Sequence, residues 1–150
     1  MKTLVSSIVL IVSAGLPCLA ALGDTVASVE ADQQKFQAHR KISQAQNYAV
    51  HEMTRDDGMV ITEYVSTAGK VFGVSWKGPV IPDLSQLLGA HFAAFKAEVQ
   101  GESRIKARRR GAAVRQGALV VESSGHPRDY FGRAYLSDQL PGGVTETVIQ

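Results

Sequence analysis

Cysteine is almost missing from this chain of 150 residues, and its scarcity limits how the protein can be stabilised. The one cysteine, Cys18, precedes Ala21, the predicted start of the mature chain. A mature chain without Cys18 forms no disulfide, even in a compartment where disulfides form readily. We therefore expect that the roughly 130 remaining residues form a single domain, stabilised by an ordinary apolar core.

Long apolar runs are scarce as well, and the one that stands out extends from Leu4 to Leu16, behind Lys2. Small residues follow at Ala20 and Ala21. A cation, a short apolar run and small residues, in this order, are typical of a secretory signal peptide. We predict that residues 1–20 are a signal peptide and that the mature protein is periplasmic or secreted. The run is shorter than the about 20 apolar residues of a membrane-spanning helix, so we expect no transmembrane segment after processing. Lipidation at Cys18 is the alternative, and the proline before it is unfavourable.

Net charge is small, but its distribution is uneven. One of the 16 basic residues, Lys2, lies in the predicted leader, which leaves 15 against 14 acidic residues. Six of these cations fall within one stretch of twelve residues: Arg104, Lys106, Arg108, Arg109, Arg110 and Arg115. Clustered guanidinium groups bind phosphate and carboxylate, so these six residues are our candidate site for an anionic ligand. Export makes nucleic acid an unlikely partner. The alternative is that residues 101–111 are a basic, solvated connector without a ligand.

The sequence contains no catalytic, metal or cofactor motif. Ser124 and His126 lie close together with Asp129 beyond them, but no Gly-x-Ser-x-Gly elbow accompanies them. The histidines are not paired at the spacing that zinc sites use, so we predict no metal site and no cofactor. Glu52 and Glu63 could face each other across a hairpin as an acid/base pair, although such residues are commonly found on strand surfaces.

The centre of the chain predicts a β-meander. Residues 48–55, 59–66 and 70–77 are rich in β-branched and aromatic residues, and glycine-containing turns separate them. In the third segment, Phe72, Val74 and Trp76 share one face by alternation, and we expect this face to be buried. The aromatic residues favour a core over a ligand groove, because their large apolar area favours burial. Before the meander, we predict a helix at 28–38 capped by Ser28 and a polar connector at 40–47.

One amphipathic helix is predicted from Leu84 to Val99. Asp83 is its predicted N-cap, and Gln86 three residues later completes a capping box. Its apolar residues recur at spacings of three and four and should cover the sheet; they are Leu84, Leu87, Leu88, Phe92, Phe95 and Val99.

A second meander is predicted after the basic stretch. Strands at 112–115, 118–123 and 128–136 are separated by turns at Gln116-Gly117 and at 124–127. Residues 144–150 are predicted to add a short edge strand or to stay loose. The fold class is therefore α+β: two meanders form a predominantly antiparallel sheet that packs against one main amphipathic helix.

Several segments resemble an uncharacterised family of short exported proteins from Gram-negative bacteria, a domain of unknown function. The resemblance rests on residues 64–72, on Trp76-Lys77-Gly78-Pro79 with Pro82-Asp83-Leu84, and on residues 132–136 with Leu140-Pro141. It covers nearly all of the mature chain and implies an exported location, but it implies no activity and no catalytic residue.

These observations favour an exported, non-catalytic binding or envelope-associated protein. Its expected partner is an anionic envelope component or another exported protein. One alternative is a small periplasmic hydrolase that uses Ser124 and His126. The other is a secretion or assembly accessory protein that offers a sheet edge to its partner.

Overall fold

The computed structural model of the protein describes residues 22–100 and 112–150. The predicted signal peptide and the predicted connector at 101–111 lie outside the described residues. Five of the six candidate basic residues therefore also lie outside them: Arg104, Lys106, Arg108, Arg109 and Arg110.

One antiparallel sheet of seven strands forms the centre of the described structure. Its strands are β1 (His39–Gln44), β2 (Tyr48–Thr54), β3 (Val60–Ser66), β4 (Val71–Gly78), β5 (Ala112–Gln116), β6 (Leu119–His126) and β7 (Asp129–Leu136). Their order in the sheet is β1-β2-β3-β4-β7-β6-β5. Two meanders, β1 to β4 and β5 to β7, are thus joined by pairing between β4 and β7. The predicted α+β class and antiparallel sheet are confirmed.

The helices precede and follow the first meander. They are α1 (Val26–Phe36), α2 (Leu84–Leu88) and α3 (Phe92–Gln100), and a 3-10 turn at Gly89–His91 separates the last two. No helix in these two ranges is long and apolar enough to cross a membrane.

The prediction of a continuous helix from Leu84 to Val99 was wrong. Gly89 has φ 49° and ψ −122°, a conformation that ends α2 and that glycine adopts without the steric cost of a side chain. Asp83 is the N-cap as predicted, because its Oδ1 accepts a hydrogen bond from the Ser85 N–H at 2.9 Å. The capping box is not formed, since the Gln86 amide donates to Asp32 on α1 instead.

Strand β1 occupies the segment that was predicted to be a connector. It pairs with β2 along its whole length, and five of its six residues are exposed. A strand at a sheet edge with both faces in water needs no apolar alternation, so its sequence carries no strand signal. Helix α1 also differs slightly: it begins at Val26, and Ser28 lies inside it rather than at the cap.

A β-bulge divides β4 between the two faces of the sheet. Tyr64 pairs with Gly73 and Val65 with Val71, so Phe72 is an extra residue in β4. The side chain of Phe72 therefore lies with Tyr64, on the face opposite to Val74 and Trp76. The prediction that Phe72, Val74 and Trp76 share a face was wrong, although all three are buried.

Each face of the sheet carries its own apolar cluster. The face that bears Trp76, which we call the helix face, shares a buried cluster with Leu87, Leu88 and Phe95 of the helices. On the opposite face, Tyr64, Phe72, Val120 and Tyr135 form a second cluster with Ile149.

The chain end covers part of this opposite face. Residues 144–150 form no strand; they contain a 3-10 turn at Glu146–Val148. Ile149 is fully buried. A Cβ on Gly73 would come within 2.6 Å of the Ile149 side chain, so the missing side chain at Gly73 makes room for Ile149. Residues 144–150 thus cover the cluster around Phe72, and the part of the opposite face beyond Gln150 stays open.

Candidate functional site

An open groove runs across the sheet beside the segment that ends at Gln150. Its long axis follows one row of residues on six adjacent strands, each directly opposite the next. In order from β2 to β5, the row comprises Glu52, Thr62, Ser75, Arg133, Glu122 and Ala113. The cavity over this row has a volume of about 830 Å³. We call it the sheet groove; its size suits a small ligand or part of a larger one.

A second row of side chains forms one side of the sheet groove. Val60, Lys77, Phe131 and Ser124 lie opposite one another on β3, β4, β7 and β6. Phe131 leaves 48 % of its surface exposed. Lys77 is exposed and forms no ion pair within the described ranges. The groove therefore offers an aromatic surface and an unneutralised ammonium group side by side.

Arg133 fixes the geometry at the middle of the sheet groove. Its Nε donates to Glu122 Oε2 at 2.7 Å, and its Nη1 donates to the carbonyl oxygens of Glu146 and Ile149 at 3.0 and 3.3 Å. Three acceptors thus hold the guanidinium group in place. Arg133 therefore binds residues 146–149 to the sheet, and its guanidinium group is not available to reorient toward a ligand.

Hydroxyl groups hold Gln150 at the side of the sheet groove. The Gln150 carbonyl oxygen accepts hydrogen bonds from Ser75 Oγ at 2.6 Å and from the Tyr64 hydroxyl at 3.1 Å. Both donors belong to central strands, so the position of Gln150 is set by the sheet.

Arg115 is the one candidate basic residue in the described part of the chain. It lies on β5, next to Ala113 on the same face of the strand, and its guanidinium Nη2 is 3.9 Å from Glu122 Oε1. Its side chain is 70 % exposed. Arg115 therefore stands at the β5 end of the sheet groove, immediately after the segment that contains the other five candidate cations.

The candidate hydrolase residues are only partly brought together. The predicted turn at 124–127 was wrong in part, because β6 continues to His126 and pairs it with Asp129. His126 Nε2 is 3.8 Å from Asp129 Oδ2, and both side chains are at least half exposed. Ser124 and Asp129 line the sheet groove. No hydrogen bond within the described ranges joins Ser124 to His126, so the side chains are not arranged as a formed triad.

Glu52 and Glu63, which the sequence left open as an acid/base pair, do not face each other. Glu52 lies opposite Thr62 on the groove side, whereas Glu63 lies opposite His51 on the helix face. Alternation along the strands therefore separates the two carboxyl groups by the thickness of the sheet. Within residues 22–100 and 112–150, no three His, Cys, Asp or Glu side chains are grouped so that they could hold a metal ion.

A buried polar cluster under α1 was not predicted from the sequence. Asp32 of α1, Glu63 of β3, His51 of β2 and Gln86 of α2 are all buried. Burial raises the pKa of Asp32 to about 6. Burial, together with the charge of Asp32, raises the pKa of Glu63 well above its ordinary value. Burial, with a contribution from Arg40, lowers the pKa of His51. The only sequence signal was Glu63, an acidic residue within the apolar and β-branched run of β3.

Comparison with protein-family models gives a match over residues 18–149, to the family described as a protein of unknown function, DUF2844. The chain belongs to the DUF2844 family. Comparisons with curated proteins and with solved structures give no match. The resemblance to a domain of unknown function is thereby confirmed. The DUF2844 match includes every strand, every helix and the whole lining of the sheet groove except Gln150.

Proposed function

We propose that this DUF2844 protein is an exported, non-catalytic binding protein whose sheet groove takes an anionic envelope component that carries phosphate groups. The observation that carries the proposal is the open groove of about 830 Å³, at the β5 end of which Arg115 stands exposed. A groove on a well-paired sheet is preformed, so a ligand does not have to order it on binding.

The lining of the groove carries three carboxylates, Glu52, Glu122 and Asp129, beside Lys77 and Arg133, so an anionic ligand has to be held by cations at the β5 end. Glu52 lies at the β2 end, whereas Arg115 lies at the β5 end. Five further cations precede β5 in the sequence: Arg104, Lys106, Arg108, Arg109 and Arg110. Lys77 adds an ammonium group beside Phe131. Guanidinium groups bind phosphate oxygens bidentately, and a cluster of like charges raises the local concentration of an oppositely charged ligand.

Export rests on the leader-like residues 1–20. The DUF2844 match begins at residue 18, after the apolar run from Leu4 to Leu16. The run therefore precedes the part of the chain that matches the family model, whereas residues 18–20 of the predicted leader lie within it.

Vesicle binding tests the proposal. Mature protein should bind vesicles that contain anionic phospholipid and should bind lipopolysaccharide, with weaker retention on neutral vesicles. Raising the salt concentration should weaken binding, because exposed charges are screened. Comparing the anionic vesicles with lipopolysaccharide distinguishes a lipid bilayer surface from a phosphorylated glycolipid as the source of the phosphate. Equal, negligible retention on all three surfaces would contradict the proposal.

Three variants separate the groove from simple charge attraction. Replacing Arg108, Arg109 and Arg110 by alanine should weaken binding at least tenfold. Ala113→Trp fills the β5 end of the sheet groove without changing charge and should also weaken binding. Lys96→Ala removes an exposed cation from α3 and should leave binding unchanged. If Ala113→Trp binds as the parent protein does, the ligand lies outside the groove.

A periplasmic hydrolase is the second candidate, because Ser124 and Asp129 line the groove and His126 lies 3.8 Å from Asp129. Turnover of a nitrophenyl ester by the parent protein, and its loss in Ser124→Ala, would favour the hydrolase. No turnover above that of Ser124→Ala is the outcome that the binding proposal expects.

A further inference from the structure

Helix α1 is attached to the sheet by a small and half-polar face. Its buried residues are Ser28, Val29, Asp32 and Phe36. Val29 packs in a small cluster with Val65 and Val71. Phe36 belongs to the larger cluster of the helix face, so two of the four buried side chains are apolar and two, Ser28 and Asp32, are polar. The state of Asp32 therefore contributes to holding the helix.

Asp32 and Glu63 are both buried beneath α1, where burial and the charge of Asp32 raise the pKa of Glu63. The Gln86 amide donates to Asp32 Oδ1. The other oxygen of Asp32, Oδ2, and Oε2 of Glu63 have no donor among the described residues. One proton on Glu63 Oε2, donated to Asp32 Oδ2, satisfies both oxygens. Two carboxylates would leave both oxygens without a donor and would repel each other.

The charged and titratable groups around the pair do not replace this proton. From β2, His51 lies directly opposite Glu63, and burial lowers the pKa of His51, so it is neutral at neutral pH. From β1, Arg40 favours the charged form of Glu63, but its Nη2 is 3.7 Å from Glu30 of α1. Lys35 of α1 favours the charged form of Asp32. Despite these cations, the pKa values of both carboxyl groups remain raised.

We propose that Asp32 and Glu63 form a proton-operated latch: one shared proton fastens α1 to the sheet, and transfer of that proton to a base in the solvent releases α1. The O–H bond of Glu63 breaks in this step, and the pair changes from one negative charge to two. Release exposes Val29 and Phe36 of α1 together with Val65 and Val71 of the sheet.

The direction of the pH effect follows from the raised pKa values. Stabilisation by the two groups is fully present below their ordinary pKa values of 3.8 and 4.5. It decreases as the pH rises through the folded-state values, the one for Asp32 being about 6. The pair loses two protons in succession. The second, shared proton leaves at a higher pH than the first proton, because the negative charge already on the pair opposes the formation of another. The latch is thus closed in mild acid and opens toward alkaline pH.

Hydrogen exchange measured by mass spectrometry tests the latch on the complete mature protein. Protection of the peptide at 26–36, corrected for the intrinsic rate at each pH, should fall at least tenfold between pH 5 and pH 9. Protection of β6 and β7 should change by less than threefold over this range. If α1 keeps its protection at pH 9, or if all strands lose protection together with α1, the latch is ruled out.

Two substitutions and a matched control identify the proton. Glu63→Gln supplies an amide N–H to Asp32 that does not titrate, and Asp32→Asn removes the other charge; each should flatten the pH profile of α1. Glu52→Gln changes an exposed carboxylate on the same hairpin and should keep the parent profile. A steep profile in both Glu63→Gln and Asp32→Asn would overturn the proposal. Carboxyl carbon NMR of the parent protein reads the same titration without any substitution, so the test does not depend on whether the variants fold. Carboxyl shifts of Asp32 and Glu63 that titrate at ordinary values would also overturn it.

Discussion

At the scale of single residues, Gly132 shows how closely the two central strands are packed. A Cβ at this position would collide with the Trp76 indole ring and come within 2.6 Å of the Glu122 carbonyl oxygen. Neither a buried indole ring nor a strand backbone can move freely. Gly132 is therefore required by the position of Trp76, which is itself 2 % exposed.

Gly132→Ala should lower the free energy of unfolding by about 1–3 kcal/mol, the usual cost of inserting an atom into a packed core. Trp76 is the only tryptophan in the chain, so its fluorescence reports the change directly. Gly142→Ala is the matched control, since no atom lies within 4 Å of the added Cβ. Equal melting temperatures for the two variants would show that the packing of Trp76 does not require glycine at position 132.

Asp83 stabilises the start of α2 as a charged N-cap. Asp83→Ala should cost about 1 kcal/mol at neutral pH, and Asp83→Asn should cost less because asparagine also caps. Hydrogen bonding to Ser85 lowers the pKa of Asp83, so its contribution is present above the ordinary value of 3.8 and is lost as the pH falls through the folded value. Denaturant unfolding at pH 7 and pH 2 should therefore show the difference between parent and Asp83→Ala shrinking in acid. A difference that grows in acid would contradict this role.

At the scale of elements, α3 contributes one fully packed aromatic side chain. Phe95 belongs to the buried cluster of the helix face, whereas Phe92 and Val99 are only partly buried against it. Phe95→Ala should therefore destabilise the protein by about 3–5 kcal/mol. Thermal unfolding followed by circular dichroism measures the loss, with the exposed neighbour variant Lys96→Ala as control. An unchanged melting temperature in Phe95→Ala would mean that α3 does not hold the core together.

The elements that the sequence predicted well are those whose signals are local. Apolar and β-branched runs between turn residues identify β2, β3, β4 and β7 to within about two residues. The elements that it missed depend on distant partners. Strand β1 exists because β2 offers it backbone hydrogen bonds, and the break between α2 and α3 depends on a single glycine conformation.

At the scale of the whole molecule, the sheet groove could not be predicted because no short segment contains it. Its central row takes one residue from each of six strands, and the pairing of β4 with β7 joins positions nearly sixty residues apart. The buried pair of Asp32 and Glu63 has the same origin, since α1 and β3 meet only in the folded chain. Residue types alone suggested the basic stretch, and of its six cations only Arg115 lies among the described residues.

The proposed export makes a prediction about the mature chain as a whole. Protein recovered from the envelope fraction of its host should begin at or near Ala21 and should lack Cys18. Mass spectrometry of the intact protein and of its N-terminal peptide measures this. A diacylated Cys18 at the N-terminus would show that the protein is a lipoprotein, and an intact Met1 in the cytoplasm would contradict export.

The bulge in β4 has a consequence for how chains of this family can vary in length. Deleting Phe72 would leave Tyr64 opposite Gly73 and Val65 opposite Val71, so the hairpin would keep its alignment on both sides of the gap. The sheet would lose only the ring that contacts Tyr48 and Tyr64. Deleting this one residue would therefore remove an aromatic ring from the opposite face without changing the register of the strands. The same deletion two residues later would shift the register by one residue, so that the remaining side chains of β4 would point to the wrong faces of the sheet.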